Sequence, residues 1–122
     1  MRESFDTQLR SIVDRDPRYA RNAYLFIFEA LEYTCRTMQR KGHVTGHELA
    51  LGIRDLAILQ FGGLARMVFD QWGIRSTTDF GEIVFNLVGA NLMGRQENDS
   101  REDFHDVYSF DDAFPIVATP KK

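Results

Sequence analysis

The stretch PRYARNAYLFIFEALEYTCRTMQRK, residues 17–41, most constrains what this chain can fold into. At helical spacing, Arg18, Asn22, Leu25, Glu29, Glu32, Arg36 and Gln39 form one mostly polar stripe. Tyr19, Ala23, Tyr24, Phe26, Ile27, Ala30, Leu31, Cys35 and Met38 occupy the remaining surface. A helix with so narrow a polar stripe must bury most of its circumference, which places it at the centre of its domain. Asp16 can cap it and Pro17 suits its first turn. Arg36, Arg40 and Lys41 suit the negative end of its dipole, and Gly42 is placed to end it.

Shorter helices are expected around this one. Phe5, Leu9, Ile12 and Val13 share a face over about residues 3–14. Thr45-Gly46-His47-Glu48 is a Thr-x-x-Glu capping box that opens a helix over 46–60, with Leu49, Ile53, Leu56, Ala57 and Gln60 on one face. Gly52 sits inside it at a cost of about 1 kcal/mol relative to alanine, which marks close approach of a neighbouring helix. FGG (61–63) breaks the chain, a short helix follows over 64–72, and Gly73 ends it. Asp79-x-x-Glu82 reads as a second capping box, with Asp79 as cap of a helix over 80–93 that turns Phe80, Ile83, Val84, Leu87, Val88 and Leu92 inward. Residues 92–109 read as a short hairpin, or else as one helical turn at 100–105. FDDAF (110–114) adds a last turn. The expected fold class is mainly α: one helical domain over 1–115 with a winged-helix-like C-terminal half, followed by a flexible tail, 116–122.

Composition then limits function. At 122 residues, a chain with 43% hydrophobic and 12% aromatic content can fill a real core. A fold of this size buries roughly two thirds of the surface that its unfolded chain exposes. The net charge of −3 is uneven, since seven of the eighteen acidic residues lie within 97–112. This disfavours free nucleic acid or an anionic membrane as the main partner. Cys35 is the one cysteine, so an intramolecular disulfide is excluded, and its apolar neighbours make a buried thiol the expectation. No apolar run approaches the roughly 18 residues of a spanning helix, and MRESFDTQLR has no apolar signal core. A cytoplasmic protein is expected.

Four candidate constellations remain. His43, His47, Glu48 and the more distant His105 are the candidate metal or acid–base residues, but His-x-x-x-His-Glu is not the His-Glu-x-x-His of a helical zinc site. Cap logic leaves His43 in a loop and gives Glu48 a structural task, so no metal and no cofactor is expected. Asp-Phe-Gly (79–81) lacks every other kinase element. ENDSREDFHD (97–106) lacks the spacing of a calcium loop. The winged-helix pattern would place the helix over 80–92 at a duplex, yet that helix carries no Lys or Arg. The surface expected to serve a partner is the edge formed by Arg75, Asp79, Glu82, Asn86, Asp99, Arg101 and Asp103, with Phe85 as an apolar anchor.

RYARNAY (18–24), HVTGHEL (43–49), WGIRSTTDFGEIVFN (72–86) and DSREDF (99–104) together resemble a family of short, uncharacterised bacterial proteins. The resemblance covers about residues 5–114 and implies a single compact unit. The family has no established activity and supplies no catalytic residues. The expectation is a non-enzymatic protein-interaction or regulatory module whose partner is another protein, with a homodimer left open. One alternative is a winged-helix nucleic-acid-binding regulator contacting phosphates through Arg66, Arg75, Arg95 and Arg101. The other is a metal-dependent enzyme using His43, His47 and Glu48.

Overall fold

A helix over Arg21–Thr37 (α2) packs against three of the other helices, as its narrow polar stripe requires. The computed structural model describes residues 4–41, 44–94 and 101–115. Around α2 stand α1 (Phe5–Arg15), α3 (Gly46–Phe61), α4 (Ala65–Gln71), α5 (Thr77–Gly89) and α6 (Phe110–Ala113). Single 3-10 turns occupy Gly62–Leu64 and Arg101–Phe104. The protein is mainly helical, and no strand forms among the described residues.

The bounds of α2 differ from expectation at both ends. It starts four residues after Pro17, with Ala20 as its N-cap, and the Asp16 carboxylate is held by the Arg18 backbone and guanidinium in the connection before it. At the other end Gln39 adopts φ 57°, and the Arg40 N–H reaches back to the Cys35 carbonyl. That left-handed residue closes the helix before Gly42 is reached. Cys35 is buried, as expected.

The closest approach of α2 is to α3. A Cβ on Gly52 would stand 1.7 Å from the Thr34 hydroxyl oxygen, so only glycine admits α2 at this depth. Thr34 satisfies its own buried hydroxyl by donating to the Ala30 carbonyl. The α3 capping box forms as read: Thr45 Oγ1 accepts from the Glu48 N–H, and the Glu48 carboxylate accepts from the Thr45 N–H.

The start of α5 corrects the sequence reading. The cap is Ser76, and Asp79 occupies the third helical position. STTDFGE fits two overlapping boxes, and the one chosen lets the Asp79 carboxylate take the N–H groups of Arg75 and Ser76. The helix also stops at Gly89, because Asn91 at φ 61° directs the Leu92 N–H to the Leu87 carbonyl.

The hairpin expected over 92–109 is not formed by the residues described there. Residues 95–100 lie outside them, and Arg101–Phe104 makes a 3-10 turn instead. That turn is fixed by packing. The Phe104 ring lies where Cβ atoms on Gly46 and Gly81 would stand, at 3.0 Å from each. Two glycines on two helices thus open a slot for one aromatic ring. The core is completed by rings around Phe69, which touches Phe26, Trp72, Phe80, Phe110 and Phe114 at centroid distances of 5.3–6.0 Å. Phe110 and Phe114 are how the expected last turn, α6, is held. The tail expected over 116–122 lies outside the described residues.

Candidate functional site

The histidine constellation does not assemble among the described residues. His47 is exposed on the first turn of α3. Glu48 is occupied by its capping bond and by the Arg40 guanidinium. The Thr45 N–H first, and Arg40 after it, hold its carboxyl below the usual carboxylate range. His105 faces Thr78 at 3.2 Å and Asp106 at 3.4 Å. No group of three metal-ligating side chains occurs among the described residues, and His43 lies outside them.

The α5 edge, by contrast, does gather its residues, but it gathers them inward. Asp79, Glu82 and Asn86 recur at helical spacing and meet the segment between α1 and α2. Asp79 accepts from the Tyr19 hydroxyl. Glu82 accepts from Arg18 at 3.3 Å and from Arg101 at 3.4 Å. The Asn86 amide donates to Asp16 at 2.9 Å and to the Tyr24 hydroxyl at 3.0 Å. Arg18 makes two parallel bonds to Asp16, at 2.8 and 2.7 Å. This fork, helped by Asn86, holds the Asp16 carboxyl far below its ordinary value. Burial first, then the Asp79 contact, pushes the Tyr19 hydroxyl well above its ordinary value. These groups form a polar layer that staples the α1–α2 connection onto α5. Gly73 completes it: at φ 88°, its missing Cβ leaves room for the Arg18 carbonyl, 2.0 Å away from where that atom would be.

The rest of the expected partner edge is dispersed. Arg75 is exposed and pairs with Asp70. Asp103 is half-buried on the 3-10 turn beside Gly46. Asp99 lies outside the described residues. Phe85 is 53% exposed, and the Arg101 guanidinium lies over its ring at 4.2 Å.

The structure exposes an apolar surface elsewhere, which the sequence reading missed. Ile58, Leu59, Leu64 and Met67 are 46%, 71%, 58% and 59% exposed. All four fall within ten residues, around the corner where α3 passes through the Gly62–Leu64 turn into α4. The missed signal was a surplus. Leu49, Ile53, Leu56 and Ala57 already satisfy the buried face of α3, and Ile58 and Leu59 fall off that face.

A second apolar feature is concave. A cavity of about 380 Å³ opens between the N-terminal half of α3, the outer face of α5 and the 3-10 turn at Arg101–Phe104. Val84 and Val88, expected to turn inward, are half-buried in its wall.

No protein-family model, curated protein or solved structure matches this chain. No helix among the described residues is long and apolar enough to cross a membrane.

Proposed function

We propose that this protein is a non-enzymatic interaction or regulatory module that docks another protein on the corner between α3 and α4. The observation that carries this reading is the exposure of Ile58, Leu59, Leu64 and Met67 within ten residues of chain. Single exposed apolar residues are ordinary, but a cluster of large ones marks a contact surface, because leaving it in water forgoes hydrophobic stabilisation. The corner is flanked by Arg54–Asp55 and Arg66–Asp111 ion pairs, which suits an apolar centre with a polar rim.

Phosphate binding has less support. Of the expected phosphate contacts, Arg66, Arg75 and Arg101 each already face a carboxylate, so a nucleic acid would have to displace an internal partner at each of them, and Arg95 lies outside the described residues. The winged-helix comparison therefore belongs to this proposal only as an arrangement of three successive helices, α3 to α5, reused for protein contacts.

The test places a photo-crosslinking residue at position 59 or 64 and asks for a defined partner that binds saturably when both proteins are purified. A second copy of this chain would show itself as a concentration-dependent dimer in sedimentation. Leu59→Glu combined with Met67→Glu should weaken the reconstituted complex by about a hundredfold, as expected when central apolar anchors are lost. Arg10→Glu, on the exposed face of α1 and away from the corner, should leave it unchanged. Equal binding by the double variant would defeat the reading.

A further inference from the structure

The cavity between α3 and α5 carries an inference independent of the docking corner. Its size falls within the roughly 300–1,000 Å³ typical of small-molecule sites. Its walls are aliphatic and aromatic: Leu31 and Leu49 on one side, Val84 and Val88 on the other, with Phe104 and Met93 at the ends. Arg101 is the one charged residue in the described lining.

Two exposed glycines, Gly89 and Gly94, stand in the lining of the cavity. A Cβ on Gly89 or Gly94 would meet no atom within 4 Å. Neither glycine adopts a positive φ, so neither is required by the backbone. Gly89 ends α5, where a larger residue would favour the helix. Both glycines are exposed, so they leave the cavity open to solvent on this side, where a side chain can be added without a clash.

The chemistry of the rim specifies the ligand's other end. Arg101 stacks on Phe85 and reaches Glu82 only through one guanidinium nitrogen, at 3.4 and 3.5 Å. Those distances are long for a charge-assisted bond, and the guanidinium has five N–H donors. It can thus accept a planar anionic group in bidentate fashion while keeping its stack. The nearby Glu82 carboxylate limits the charge that can be added, because a dianion would face it at close range. We propose that the cavity binds a small amphipathic monocarboxylate, with its apolar body among Leu49, Val84 and Val88 and its carboxylate on Arg101.

Octanoate, octanamide and octylammonium share a body and differ in the head, so calorimetric titration of the full chain with each one separates the two halves of the site. Octanoate should bind saturably at one site. Octanamide should bind about tenfold more weakly, since it loses the charge-assisted pair, and octylammonium should be weaker still. Arg101→Gln should reduce octanoate binding by about tenfold and leave octanamide nearly unchanged. Gly89→Leu should abolish binding of both by filling the cavity, with the thermal unfolding midpoint unchanged or raised. Should Gly89→Leu unfold the protein, Val88→Phe reduces the cavity from the α5 wall instead. Octanoate binding that fails to saturate, or that survives a folded cavity-filling variant, would overturn the site. Equal affinity for octanoate and octanamide, or indifference to Arg101→Gln, would overturn the carboxylate assignment.

Discussion

Two glycines at opposite ends of the packing scale give the sharpest single-residue predictions. Gly52 stands where its Cβ would fall 1.7 Å from the Thr34 hydroxyl, and Gly89 stands where a Cβ would meet nothing. Alanine is favoured over glycine in a helix by about 1 kcal/mol, so propensity alone predicts gain at both positions. Packing reverses the sign at Gly52, where overpacking costs about 1–3 kcal/mol or more. Gly52→Ala should lower the urea midpoint, Gly89→Ala should hold or raise it, and Thr34→Ala should restore part of the Gly52→Ala loss. Two losses of equal size would mean that α2 and α3 are not in contact at Thr34. The Gly52 contact was legible in sequence, because an unfavourable residue inside a strong helix needs a reason. The Thr45–Glu48 cap was legible because both its bonds are local. The role of Asp79 was not. Two overlapping cap patterns fit STTDFGE, and the choice is reinforced by Tyr19, sixty residues away along the chain.

At the scale of elements, helix interiors were legible, as were the ends marked by the Thr45 cap, Gly62 and Gly73, but the C-terminal ends of α2 and α5 were not. Periodicity reports which residues share a face, and it placed the middle of the buried faces of α1, α2 and α3, while Phe5, Met38 and Gln60, expected on those faces, are exposed near their ends. Ends depend on left-handed residues, and here Gln39 and Asn91 take that role beside Gly73. Nothing in their side chains demands it. The segment after α5 was hardest to read because it owes its course to a long-range slot. Phe104 is buried between Gly46 of α3 and Gly81 of α5, and both glycines are uninformative until the ring is seen between them. Phe104→Ala should therefore cost about 3–5 kcal/mol, near the upper range for a buried ring, since the slot has few side chains that could collapse into it. The corresponding measurement is chemical denaturation, with hydrogen exchange at residues 101–108 as a local readout. A loss below about 1 kcal/mol would show that the turn is not anchored by this ring. The same variant removes one end wall of the cavity, so it should also weaken octanoate.

For the molecule as a whole, the polar layer on α5 links the first two helices to the C-terminal half, and its charge makes that link sensitive to acid. Asp16 gathers the Arg18 fork and the Asn86 amide, and Glu82 gathers Arg18 and Arg101. The Asp16 carboxyl is held well below the value of about 3.9 that it has in an unfolded chain, chiefly by the Arg18 fork. A group whose folded value is depressed contributes its stability in full above the unfolded value and loses it as pH falls toward the folded one. Stability should therefore be flat with respect to this group above about pH 5 and should decline below about pH 4. Glu48, also held low, contributes in the same window, so the decline belongs to both carboxylates. Asp16→Asn separates them. Near neutral pH it should cost about 1–3 kcal/mol, the range for hydrogen bonds to charged groups, reduced toward the lower end because the Arg18 side chain is 55% exposed. As pH falls below about 4, the gap between parent and variant should narrow, because the unfolded parent takes up a proton that the folded state, with Asp16 held ionised by the Arg18 fork, does not. Urea denaturation of both proteins across that range gives the answer directly. A constant gap at every pH would mean that Asp16 acts through shape alone. A closing gap would identify the charge on Asp16 as what holds the α1–α2 connection to α5.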